Sequence, residues 1–144
     1  MGKEKIQRDI IMQKHDVVII GGGIIGSAIA YFLKSNLDFK GDVAVIERDT
    51  SYGKASTTRS LGGVRQQFSN HENIEIGLFG SEFVKNIKEH LAVDGESLDV
   101  GWVERGYLFL ASNEGKKILI ENQSLQKRLG AQIDILSPSD LKIK

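Results

Sequence analysis

Three glycines and one carboxylate have the spacing to do chemistry: Gly21, Gly23 and Gly26 in "DVVIIGGGIIGSAIAYFL", residues 16–33, and Glu47 closing "VAVIE". The G-x-G-x-x-G spacing answers three steric demands. Gly21 lets the chain turn sharply out of a strand. A side chain at Gly23 would hold a pyrophosphate away from the backbone, and one at Gly26 would push the next helix off the strand. The first amides of that helix, at Ile24 and Ile25, have no partner inside it, and the helix dipole adds partial positive charge. A phosphate pair fits there without any Lys or Arg. Glu47 follows Gly26 by 21 residues. Its carboxylate can accept hydrogen bonds from both hydroxyls of an adenosine ribose. Its charge repels a 2′-phosphate, so NADP is disfavoured. The alternative is a glycine-rich turn with no ligand; a preceding strand, a following helix and an acid at the second strand's end argue against it.

The same β-α-β unit serves FAD and NAD. The segment after Glu47 and Arg48 favours FAD. A nicotinamide-binding unit would continue into another helix and parallel strand. Here "SYGKASTTRSLGGVRQQF" supplies hydroxyls at Ser56, Thr57, Thr58 and Ser60, glycines at Gly62 and Gly63, and cations at Arg59 and Arg65. Such a loop can meet a pyrophosphate and the edge of a flavin; the alternative is a solvated surface loop. Arg65 suits either a carboxylate substrate or the flavin.

The elements that position these residues follow from hydrophobic patterning. Residues 16–20 and 43–47 are apolar runs without alternation, as in strands buried on both faces. Residues 24–35 form the helix between them. Residues 50–67 lack an apolar period and read as loop with one helical turn. Ser69 and Glu72 suggest a capping box. The helix it opens runs to about Leu91, with Ile74, Leu78, Phe83, Ile87 and Leu91 inward. Gly77 and Gly80 each weaken that helix by about 1 kcal/mol relative to Ala, so close packing is expected there. "LDVGWV" and "GYLFLAS", joined by "ERG", predict an antiparallel strand pair. A helix over 114–129 ends at Gly130 with Lys127 and Arg128 in its last turn. "QIDIL" predicts a short strand. Ser137, Pro138 and Asp140 predict another helix start.

Composition excludes several classes. Formal net charge is zero among 144 residues, with no basic stripe for nucleic acid. With no cysteine, disulfides, thiolate metal sites and a Cys nucleophile are absent. The three histidines, His15, His71 and His90, lack metal-site spacing. No run is apolar enough for long enough to span a membrane. The N-terminal residues resemble neither a signal peptide nor a good mitochondrial presequence, so a soluble cytoplasmic protein is the default. His71, at a helix start where the dipole disfavours its cation, reads as a solvent-facing side chain. Trp102, Tyr107 and Phe109 read as core or cross-strand residues rather than a substrate cage. No convincing acid–base pair is visible.

"DVVIIGGGIIGSAIAYFL…VAVIERD…ASTTRSLGGVRQQFS" resembles the FAD-dependent oxidoreductases of the D-amino-acid oxidase superfamily, which includes glycine oxidase and the sarcosine and dimethylglycine dehydrogenases. "GGVRQQFS-x-x-EN", "GYLFLAS" and "LSPSDLK" are most similar to its branch of FAD-dependent oxidoreductase domain-containing proteins, known in mitochondria through a complex I assembly factor. The resemblance implies an α/β fold: a Rossmann-type FAD-binding β-α-β unit with the beginning of a second, antiparallel substrate domain, incomplete in this N-terminal stretch. The divisions are then a tail at 1–15, the FAD-binding unit and flavin loop at 16–68, and the approach to the substrate domain at 69–144. It implies FAD, an amine or amino-acid substrate, and oxidation of a C–N bond by hydride transfer to the flavin. The electron acceptor and catalytic residues are not named by these residues.

Carried onto this chain, the resemblance places Gly21, Gly23, Ile24, Ile25, Gly26, Glu47 and Arg48 on the ADP half. Ser56, Thr57, Gly62 and Gly63 lie along the pyrophosphate and flavin, with Arg59 and Arg65 as candidate flavin or substrate contacts. Two other readings stand beside the oxidoreductase: an FAD-bound assembly protein with little turnover, and an NAD-binding module. One departure is specific. Where dimethylglycine-dehydrogenase-like members place a flavin-linking His, Arg59 stands in "ASTTR". With no cysteine either, acid precipitation of the flavin-loaded protein is expected to release all flavin from this segment. A flavinylated peptide from residues 1–144 would contradict this.

Overall fold

A computed structural model describes residues 13–96 and 98–142. The reading of the N-terminal residues as no targeting peptide falls on residues 1–12, outside the described residues. The chain divides after Gly62 into two compact units.

In the first unit, β1 (Val17–Ile20), α1 (Ile24–Ser35) and β2 (Val43–Ile46) form one β-α-β crossover. The strands pair in parallel, from Val17 opposite Val43 to Ile20 opposite Ile46. Two contacts hold the open end of this pair. Asp16 accepts the Asp42 amide at 2.7 Å, and His15 Nδ1 meets the Asp42 carboxylate at 2.5 Å. The His15 hydrogen bond lowers the Asp42 pKa. α1 ends at Asn36, whose amide reaches the carbonyls of Phe32 and Leu33; the Asn36 side chain then accepts the Asp38 amide at 3.0 Å and turns the chain toward β2.

The expectation of strands covered on both faces is corrected. Ile19 is buried, but Ile20 is 79% exposed and Val18 is 49% exposed. Side chains alternate across a strand, and a single crossover helix covers one face only. β2 stops at Ile46, so Glu47 stands just past the sheet.

In the second unit, α2 (His71–Lys85), α3 (Ile87–His90) and α4 (Lys116–Arg128) are the helices. α2 buries Ile74, Gly77 and Ser81. Their spacing of three and four places them on one face. The contact expected at Gly77 is present: an ideal Cβ there would lie 2.5 Å from the Arg65 carbonyl oxygen. The contact expected at Gly80 is not, because its Cβ direction is open. Across this face Gln126 of α4 is buried and donates to the Phe68 carbonyl at 2.8 Å. The Ser69 capping box does not form. The N-cap is Asn70, whose amide group donates to Glu72 at 3.3 Å instead of satisfying a helix amide. The single helix expected to Leu91 breaks at Asn86. Its side chain donates to the Glu82 carbonyl at 3.0 Å and carboxylate at 2.7 Å, an alternative to continued helical pairing.

α4 ends as its sequence predicts. Gly130 adopts φ +96°, and the amides of Gly130 and Ala131 bond the carbonyls of Lys127 and Gln126 at 3.1 and 2.9 Å. This is the left-handed cap that only glycine adopts without strain. At residues 137–140 a true capping box forms: the Ser137 amide donates to Asp140 at 2.7 Å, and the Asp140 amide to Ser137 Oγ at 3.3 Å.

The antiparallel pair expected over 98–112 is absent, as is the strand over 132–136; among the described residues the only sheet is β1–β2. Gly101 and Gly106 sit at φ +63° and +70°, outside strand geometry. The Tyr107 carbonyl accepts from Gln67 Nε2 at 3.2 Å rather than from a neighbouring strand, and the Ile133 carbonyl from Gln123 Nε2 at 3.1 Å. Isolated two-stranded antiparallel ribbons are marginal, and among the described residues no third strand lies beside this segment.

In the intact protein, Gly77→Ala is expected to destabilise by about 1–3 kcal/mol, because the Arg65 backbone must move. Gly80→Ala should be neutral or stabilising by up to about 1 kcal/mol. Thermal unfolding of both variants checks this, and equal melting temperatures would remove the Gly77 contact from the account.

Candidate functional site

The glycine turn is built by the close meeting of β1 and α1. Gly21 has φ +99°, reachable without strain only by glycine. Its amide still donates to the Ile46 carbonyl at 2.7 Å, so the ladder runs to the last residue before the turn. An ideal Cβ on Gly26 would overlap the Gly21 carbonyl oxygen and press on Ile19. The helix thus lies on the strand at backbone contact, as the third glycine of the motif requires. Ser27 ties the two further by donating to the Gly22 carbonyl at 2.8 Å.

Gly23 is the N-cap of α1 and offers no side-chain cap. A Cβ there would meet only the Thr57 hydroxyl, at 4.0 Å, so the space above it is open. The first-turn amides of Ile24, Ile25 and Gly26 have no carbonyl partner within the helix. Thr57 Oγ1 accepts from the Ile24 amide at 3.4 Å, where an anion's oxygen would also bind. Thr57 belongs to a single 3-10 turn, Thr57–Arg59, the one helical turn expected in this loop. Thr58 holds that turn by donating to the carbonyls of Tyr52 and Ala55, at 2.7 and 2.9 Å. Between loop and helix lies a cavity of about 260 Å³, lined by Gly22, Gly23, Ile24, Ser27, Tyr52, Ala55, Thr57 and Thr58.

Glu47 closes one side of the turn. One carboxylate oxygen accepts from the Gly22 amide at 2.8 Å and the other from the Asp49 amide at 2.9 Å. The Asp49 amide first, and then the Gly22 amide, lower its pKa below the usual 4.5. Hydrogen bonds to the charged form favour it, so the group is an anion at neutral pH. Each oxygen keeps a lone pair for a further donor.

Sequence reasoning gave Gly22 and Tyr52 no role. Gly22 presents its amide to Glu47, and its Cβ direction ends 2.9 Å from the Tyr52 hydroxyl. The middle one of three consecutive glycines, outside the motif's spacing, was the available signal.

The remaining candidates are not among the residues that line this cavity. Ile25, Arg48, Ser56, Arg59 and Gly62 are in the first unit outside the cavity lining, and Gly62 has φ +67°. Gly63 and Arg65 are in the second unit. A side chain on Gly63 would overlap the Tyr107 hydroxyl, so this glycine makes room for a tyrosine. The Arg65 guanidinium lies 4.9 Å from the Phe68 ring centre and 5.7 Å from that of Phe109. No carboxylate pairs with it among the described residues. Tyr107 and Phe109 are 48% and 43% exposed rather than core or cross-strand residues. The Trp102 indole N–H is buried with no partner among the described residues. His71 is exposed and pairs with Glu75 at 2.9 Å. No group of three or more potential metal ligands occurs among the described residues.

A family model described as FAD dependent oxidoreductase matches residues 16–144. The chain belongs to this family. It is 48% identical over 139 residues to the FAD-dependent oxidoreductase domain-containing protein 1 of Xenopus laevis, covering 94% of this chain and 28% of that protein. It is 30% identical over 103 residues to the glycine oxidase of Geobacillus kaustophilus (70% of this chain, 26% of that protein). It is also 30% identical over 132 residues to human mitochondrial sarcosine dehydrogenase (88% and 13%). The chain thus spans 28% or less of the length of these relatives. No solved structure matches. The family's cofactor is FAD, and the residues present fit its ADP half: unpaired helix amides, an open position at Gly23 and an ionised acid past β2. No helix among the described residues is long and apolar enough to cross a membrane.

Glu47→Ala in the intact protein is expected to weaken FAD binding about ten- to a hundredfold, the size of a lost charge-assisted hydrogen bond. Because the folded-state pKa of Glu47 is lowered, its contribution is complete above about pH 4.5 and is lost as pH falls through that lowered value. Glu47→Gln should therefore lack this part of the acid-induced loss of flavin. Flavin retention against pH, in both variants, checks the assignment; wild-type behaviour from either would remove Glu47 from the site.

Proposed function

We propose that the protein carrying this chain oxidises the C–N bond of an amine or amino acid, with residues 16–68 serving FAD and residues 69–144 leading into the substrate domain. The observation that carries the cofactor half is the open cavity at the start of α1, formed by the glycine turn and the first-turn amides that lack carbonyl partners, with Glu47 bonded to the Gly22 amide at its edge. Bound FAD supplies the acceptor for the hydride removed from substrate carbon. The chain's own part is to bind and orient. The α1 amides meet the pyrophosphate without a countercharge. The Thr57 hydroxyl accepts from Ile24 and keeps its proton to donate to a phosphate oxygen. Glu47 accepts from the adenosine ribose. Ser56, Arg48, Arg59, Gly62 and Gly63 remain the candidates for the rest of the cofactor.

Support for an amino-acid substrate comes from Arg65 and from relatives named for glycine and sarcosine. The guanidinium lies over Phe68 and near Phe109 with no carboxylate partner among the described residues, so its N–H groups can serve a substrate carboxylate. Arg65→Lys keeps the charge but loses the two-pronged geometry. In the intact protein this variant should retain flavin while kcat/KM for an N-methylated amino acid falls about tenfold or more, as expected for losing a charged hydrogen bond. The decisive measurement is anaerobic bleaching of the flavin by such substrates. Bleaching supports the oxidoreductase. A flavin that no amine or amino acid bleaches would favour the assembly-protein reading.

A further inference from the structure

Tyr52 combines three features that neither the glycine motif nor the pairing of Glu47 explains. Among the described residues it is one of two non-glycine residues at positive φ, at +54°, with a glycine immediately after it. A bulky side chain in the left-handed region is an outlier, and such strain gathers at functional positions. Its side chain lines the cavity at the glycine turn. Its hydroxyl sits over Gly22, 2.9 Å from where a Cβ would be, and has no hydrogen-bond partner among the described residues. The loop therefore holds an unused donor against the residue whose amide Glu47 accepts.

We propose that Tyr52 is a ribose-binding residue of the dinucleotide site, its phenol donating to a hydroxyl of the adenosine ribose whose proton Glu47 accepts. This rests on the FAD reading of the same cavity. The chemistry of a ribose hydroxyl calls for both groups. It donates one hydrogen bond and accepts others. An ionised carboxylate can only accept, so Glu47 satisfies the donating half and leaves the accepting half needing an O–H or N–H. The Gly22 and Asp49 amides are already spent on Glu47. Of the cavity's hydroxyl side chains, Thr58 donates to loop carbonyls, Ser27 donates to Gly22, and Thr57 sits on the Ile24 amide with its proton for a phosphate oxygen, whereas Tyr52 is uncommitted. The absence of a side chain at Gly22 lets the phenol reach this place, which also accounts for a glycine outside the motif's spacing.

The test uses the intact protein and FAD, together with the FAD analogue lacking the adenosine 2′-hydroxyl and that lacking the 3′-hydroxyl. Tyr52→Phe removes only the oxygen. It should leave the melting temperature of the flavin-free protein unchanged and weaken FAD binding about three- to tenfold, the size of one neutral hydrogen bond. One of the two analogues should bind Tyr52→Phe and wild type alike, because its missing hydroxyl has already cost the contact. Gly22→Ala, which displaces the phenol, should reproduce the loss and add little to Tyr52→Phe. If Tyr52→Phe holds FAD like wild type while Glu47→Ala loses it, the role of Tyr52 is overturned and the cofactor reading stands. If Tyr52→Phe weakens FAD and both analogues equally, the phenol does not bond the ribose and the proposal falls. A wild-type protein without affinity for FAD would overturn the cofactor reading itself.

Discussion

At Gly26 the backbone of α1 lies against the carbonyl oxygen of Gly21, with no room for a side chain. The rest of the first unit depends on this approach. It brings the start of α1 directly onto the end of β1, so the first-turn amides, which lack carbonyl partners in the helix, open at the end of the sheet. It forces the chain through φ +99° at Gly21 while the Gly21 amide completes the ladder with Ile46. Because β2 is thereby in register with β1 to its last residue, Glu47 emerges next to Gly22 and can accept its amide. One steric constraint thus aligns an anion-binding helix end with an anion of the protein's own. That combination suits a ligand with phosphates at one point and hydroxyls at another.

The second unit uses the same device for another purpose. Gly77 lets the Arg65 carbonyl come against α2, and Gln126 of α4 satisfies the Phe68 carbonyl three residues on. The segment 65–68 is thereby held by its backbone. Its side chains are left to act, and the Arg65 guanidinium rests on Phe68 and Phe109. A charged group positioned by aromatic faces rather than by a carboxylate remains open to an anionic partner.

Elements whose cause is local were legible. The α1 boundaries and the Gly130 cap follow from residues adjacent in the chain, where sterics and capping act within one turn. The Gly21–Gly26 turn is legible for the same reason. The strands at 98–112 and 132–136 were not, because a strand is made by its partner. Apolar residues such as Leu108 and Leu110 have strand propensity, yet both are exposed and no ladder forms among the described residues. The break at Asn86 was also hidden, since Asn tolerates a helix until its amide finds Glu82.

Spacing along the chain was enough to specify a β-α-β unit for a dinucleotide, an acid at the end of its second strand, and a loop rich in hydroxyls and glycines. Steric rules convert such spacing directly into conformation. Which loop residues face the glycine turn was settled by packing alone. Packing set Thr57 on the Ile24 amide and Tyr52 over Gly22, and it left Ser56 and Arg59 outside the cavity lining. Gly22 and Tyr52 are separated by a helix, a strand and a turn, and no sequence interval encodes their approach. It comes from the packing of α1 on β1, the register of β2 and the left-handed backbone at Tyr52 acting together.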